Sequence, residues 1–123
     1  MKIDGLDIYK DTRGATLFLL DMTEGFAKKY KFNTADRIII QAWDLLDEVI
    51  AGCVAFDART KLKHFTAAQE ILPKLDVKIQ LAAVKQQVTD EDLGKWTEIT
   101  NRIRRQLEGL ANSLEKKVRQ STL

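Results

Sequence analysis

A chain of 123 residues, 45% hydrophobic and 31% charged, with one proline and six glycines, fits one compact domain and matches a helical protein better than a strand-and-turn protein. A single histidine and a single cysteine exclude a Cys/His metal set and an internal disulfide, and the formal net charge of +2 does not by itself select a partner. Residues 1–7 carry no apolar run of a secretory signal, and no stretch of about 20 apolar residues could span a bilayer. The expectation is a cytoplasmic protein with no membrane partner.

In chain order, residues 1–12 mix charge with isolated Ile3, Leu6 and Ile8, and Gly5 interrupts any early helix, which predicts a loose or partly docked N-terminal arm. A first helix is expected from Arg13 or Gly14 to about Tyr30, with Ala15, Leu19, Met22 and Phe26 on its apolar face and Phe18 beside them. The run Lys28, Lys29, Tyr30, Lys31 then complements the negative end of the helix dipole or contacts phosphate. The stretch Lys31–Phe56 organises the chain, because its apolar residues are too numerous for one face. Asn33 or Thr34 can cap it, and Ile39, Ala42, Leu46, Val49, Cys53 and Phe56 form a seam at alternating spacings of three and four. A second stripe of Ile40, Trp43, Ile50 and Val54 predicts burial in two directions. Cys53, on the seam, reads as a buried structural thiol.

Asp57 and Thr60 offer caps for a long third helix to about Gln87, with Leu62, Phe65, Ala68, Leu72, Leu75, Ile79 and Ala82 facing inward. Pro73 removes one helical hydrogen bond while the apolar register runs through it, which predicts a kink with the same face kept inward. Thr89 followed by Asp90, Glu91 and Asp92 is a helix start. Leu93, Trp96, Ile99, Ile103, Leu107, Leu110 and Leu114 give a fourth seam, interrupted only by Gly109, which suggests close approach of another group there. Residues 120–123 are expected to fray. Short connections between consecutive helices make the predicted fold an all-α, antiparallel, up-and-down four-helix bundle forming a single domain over residues 1–123.

Charge is divided by element. Counting Lys and Arg against Asp and Glu, residues 34–57 carry one against five, residues 58–89 six against two, and residues 101–123 again six against two. Lys78 and Lys85 are seven apart on the third helix and Arg102 and Arg105 three apart on the fourth, so each helix can present a line of positive charge. These four residues, with Arg37 as a contributor, are the candidate nucleic-acid contacts. Arg37 and Arg105 can equally pair with Asp44 and Glu108, and the basic faces can be solvated exterior. No glycine-rich phosphate loop and no nucleophile elbow occurs, and carboxylate pairs such as Asp47 with Glu48 belong to helix surfaces. Neither catalytic residues nor a cofactor is expected.

The segments KFNTADRIIIQAWDLLDEVIAG, LDVKIQLAAVKQQVTDEDLGKW and ITNRIRRQLEGLANSL resemble the accessory variability determinant of diversity-generating retroelements. That family of four-helix bundles is related to proteins encoded in 23S ribosomal RNA intervening sequences. The resemblance covers roughly residues 15–115. Its most specific marks are Arg37 and Ile38, the Asp44-Leu45-Leu46 core, Leu81-Ala82 before the Thr89 helix start, and Ile103, Arg105 and Gly109. It implies a homopentameric barrel with a basic surface and a noncatalytic accessory protein that binds a reverse transcriptase and nucleic acid; the two basic helix lines add the expectation that structured RNA or an RNA/DNA hybrid is held through its phosphates. The second stripe of the central helix independently suggests a closed oligomer, and the resemblance supplies the number five. The alternative is a self-assembling helical scaffold that binds only protein.

Overall fold

Periodic apolar seams of this kind bury their area only by packing helix on helix, and the computed structural model, which describes residues 6–121, is built that way. Four helices, α1 (Asp7–Glu24), α2 (Asp36–Val54), α3 (Ala58–Val84) and α4 (Asp90–Ser121), carry one core. Packing is cyclic: α1 lies against α2, α2 against α3, α3 against α4, and α4 against α1. The grooves α2–α3 and α4–α1 therefore lie on opposite sides of the molecule. Trp96, Leu19, Ile38, Leu45, Leu75, Ile79, Ile103 and Leu107 are among the fully enclosed side chains.

α1 begins six residues before the expected Arg13. Its buried line is Ile8, Thr12, Ala15, Leu19 and Met22, with Thr16 and Thr23 beside it. The threonines interrupt the apolar pattern, yet each satisfies its hydroxyl on its own helix: Thr12 Oγ1 donates to the Ile8 carbonyl at 2.7 Å, Thr16 to Thr12 at 3.0 Å and Thr23 to Leu19 at 2.8 Å. A hydroxyl bonded this way costs little when buried. Residues 7–12 are thus helical and not part of a loose arm, whereas residues 1–5 and 122–123 lie outside the described residues. α1 also ends early, at Glu24, where Gly25 turns the chain and lets Phe26 fold into the core.

A helical turn, Lys28–Tyr30, then runs through a π-helical segment, Lys31–Ala35, directly into α2. The Asp36 N–H bonds the Lys31 carbonyl five residues back, so α2 has no open N-terminus, and neither Asn33 nor Thr34 caps it as the sequence suggests. The α2 core line is also rotated from the expected seam. Ile38, Ala42, Leu45, Leu46, Val49 and Cys53 are buried, Ile39 is half-buried and Phe56 is fully exposed. Most of the second stripe is not buried within one chain: Ile40 is 61% exposed, Trp43 47% and Val54 48%, while Ile50 is half-buried.

At its far end α2 closes on α3. Lys61 Nζ donates to the carbonyls of Gly52 and Cys53, both at 3.1 Å, satisfying two end-of-helix acceptors. Asp57 caps α3 by accepting the Thr60 N–H at 3.1 Å, and Thr89 Oγ1 accepts the Asp92 N–H at 3.1 Å at the start of α4. α3 ends in a Schellman motif, with Gln87 N–H on the Ala82 carbonyl and Gln86 N–H on Ala83, both at 2.9 Å, and Gln86 at a φ of 61°. Trp96 Nε1 donates to Asp76 Oδ1 at 2.7 Å, tying α4 to α3. Gly109 faces open space, so the close approach expected there does not occur.

Candidate functional site

The five candidate contacts separate into two groups. Arg37, Lys78 and Lys85 line the α2–α3 groove, while Arg102 and Arg105 stand on α4, with Arg102 turned toward α1.

The groove encloses about 710 Å³. Its floor is apolar, made by Pro73, Val77, Leu81 and Ala82 of α3. Its rim holds four cations: Arg37 from the first turn of α2 and Lys74, Lys78 and Lys85 from α3. Among the described residues no carboxylate lines it. Lys78 Nζ is steadied by Gln41 Oε1 at 2.7 Å, bridging the two helices. Tyr30, Asn33 and Thr34 close one end, Asn33 and Thr34 from the π-helical segment and Tyr30 from the turn before it. Gln87 holds the same end together, accepting the Ala27 N–H at 2.6 Å and donating to the Lys85 carbonyl at 3.0 Å. Lys74 is absent from the candidates that sequence spacing singles out, although its place four residues before Lys78 puts it on the same line.

On α4 the arginines fan out. Arg102 Nη1 lies 3.6 Å from Asp11 Oδ1 of α1, and Gln106 Nε2 donates to the other oxygen of the same carboxylate. Arg104 donates to Asn101 Oδ1 at 2.9 Å and borders the α3–α4 cleft. Arg105 is exposed, as are Lys116 and Lys117. The Arg37–Asp44 and Arg105–Glu108 pairs allowed by the sequence do not form; among the described residues, Arg102 is the one of the five candidates in an ion pair.

The remaining reactive groups are engaged structurally. Burial pushes the Cys53 thiol above its ordinary pKa, against the opposing pull of Lys61, which keeps it protonated and inert. His64 Nδ1 sits 2.8 Å from Glu48 Oε2 across the α2–α3 contact. Among the described residues no three His, Cys, Asp or Glu side chains converge as a metal site requires, and no helix is long and apolar enough to cross a membrane. Neither a protein-family model nor a curated protein sequence matches this chain.

Proposed function

We propose that this protein is a noncatalytic accessory protein that binds nucleic acid and a reverse transcriptase in a diversity-generating retroelement, acting in the cytoplasm as a closed homo-oligomer. The family and the number five come from the sequence resemblance. In this reading the four helices run antiparallel, up and down, and α3 kinks at Pro73, where proline has no N–H for the Gln69 carbonyl.

One observation carries the nucleic-acid part of the proposal. Among the described residues, the exposed large apolar side chains fall on α1, α2, α3 and their connections, and none falls on α4. α4 instead exposes Arg102, Arg104, Arg105, Lys116 and Lys117. The basic part of α4, residues 101–121, is roughly 32 Å long at 1.5 Å per residue, enough to meet several phosphates of an A-form duplex at once. From Asn101 onward, where six Lys and Arg stand against two acids, this polar surface suits phosphates. The α2–α3 groove, with cations around an apolar floor, suits a protein surface better. Arg37, Lys78 and Lys85 are accordingly assigned to protein contact, and Arg102 and Arg105 keep the nucleic-acid role. The groove also suits the alternative, a self-assembling helical scaffold that binds only protein, and the nucleic-acid test below separates the two.

The test is binding of a structured RNA and an RNA/DNA hybrid to the native chain as salt is raised. Affinity is expected to fall log-linearly, with a slope of about 0.9 per phosphate neutralised on a DNA duplex and of similar order on an A-form one. Affinity absent at low salt, or indifferent to salt, overturns the nucleic-acid reading. A reverse transcriptase gene beside this one, with paired template and variable repeats, would independently support the retroelement assignment.

A further inference from the structure

The outer stripe of α2 and the α2–α3 groove are complementary surfaces. Ile40 and Trp43 stand exposed on α2, with Asp36 one turn before and Asp47 one turn after them, both exposed. By helical pitch Ile40 lies about 60° and Trp43 about 120° around α2 from Arg37, so the stripe lies beside the groove that Arg37 borders and not within it. One molecule therefore cannot cover its own groove with its own stripe. The stripe is apolar between two acids. The groove has an apolar floor at Val77 and Leu81, with Lys74 and Lys85 on its rim.

We infer that the α2 stripe of one copy seats in the α2–α3 groove of the next, with Ile40 and Trp43 on the apolar floor and Asp36 and Asp47 against the lysines. The inference rests on the homo-oligomer reading above and adds to it which surfaces meet. Two-fold self-pairing of either surface is disfavoured: stripe on stripe opposes acids, and groove on groove opposes cations. Only stripe into groove matches apolar to apolar and charge to opposite charge. Such a contact is heterologous, so repetition generates a ring when the rotation closes. The arrangement leaves α4, with Arg102 and Arg105, outside the contact and open to nucleic acid.

Sedimentation velocity at micromolar concentration tests this on four full-length chains: native, Asp36→Lys/Asp47→Lys, Lys74→Glu/Lys85→Glu, and all four substitutions together. The native chain is expected to sediment as a multiple of 14.0 kDa. Each double variant is expected to weaken assembly by a factor on the order of ten or more, and the fourfold chain to regain it, because the reversed charges match again. Asp36, Asp47, Lys74 and Lys85 are all exposed, and circular dichroism checks that each chain stays helical. Trp43→Ala, which removes the apolar anchor without touching charge, is expected to weaken assembly in the same way. A native chain that stays at 14.0 kDa overturns both the inference and the homo-oligomer reading. A native oligomer that survives either charge reversal and Trp43→Ala overturns the pairing alone and leaves assembly through another face.

Discussion

Gly52 lets the Phe65 ring of α3 pack directly on the α2 backbone. A Cβ at this position would stand 2.8 Å from two ring carbons of Phe65, whose ring is itself buried. Gly52→Ala is expected to cost about 1–3 kcal/mol in urea unfolding, the usual penalty of overpacking a core; an unchanged midpoint would show that the ring can shift. Gly109 predicts the opposite sign. It lies in the interior of α4, and a Cβ added there would meet nothing within 4 Å. Gly109→Ala should therefore raise stability by about 1 kcal/mol, and a loss would reveal a neighbour on that face. Asp57 gives a pH-dependent case. Hydrogen bonds from Thr60 hold its carboxyl below its ordinary pKa in the folded chain. The cap therefore contributes stability above the unfolded pKa and loses it as pH falls through the folded value. The melting difference between the native chain and Asp57→Ala should be full at neutral pH and shrink in acid; a difference constant with pH would deny the carboxylate its capping role.

At the scale of elements, much is legible in the sequence because helix ends and apolar lines obey local rules. The Asp57 and Thr89 starts follow side-chain capping, and the α3 and α4 seams follow helical spacing through Phe65, Leu75 and Ile79 and through Trp96, Ile103 and Leu107. The bounds of α1 are harder to read because Thr12, Thr16 and Thr23 look polar in sequence, and only the finished helix offers them carbonyls four residues back. The start of α2 escapes a search for caps because a π turn needs none. The seam of α2 is ambiguous because a helix apolar on several sides gives periodicity no unique answer; Ile38 and Ile39 compete, and packing on α1 and α3 selects Ile38. Pro73 is a test at this scale. It lines both the α2–α3 groove and the α3–α4 cleft, so Pro73→Ala should stabilise α3 by restoring a backbone bond and, by reshaping the groove floor, weaken assembly. Thermal melting and sedimentation read the two effects; a lower melting temperature would mean that the native packing requires the proline.

For the whole molecule, the candidate residues are legible one by one and their grouping is not. Spacing places Lys78 with Lys85 and Arg102 with Arg105, but the cyclic packing of four helices decides that the first pair joins Arg37 and that the second lies across the bundle. Exposure then separates the two basic surfaces by what surrounds the charges: Val77 and Leu81 beside the groove lysines, and no large exposed apolar residue among the described residues of α4. If α4 is the nucleic-acid surface of an otherwise protein-binding bundle, its arginines should govern both affinity and salt dependence. The most direct test is a salt titration of structured-RNA affinity for the native chain and for Arg102→Ala/Arg105→Ala, with both confirmed by sedimentation to have the same assembly state. The double variant is expected to bind more weakly at every salt concentration, with a slope of log affinity against log salt shallower by about 1–2 units. Equal affinity and equal slope for the two chains would contradict the assignment of α4 to nucleic acid.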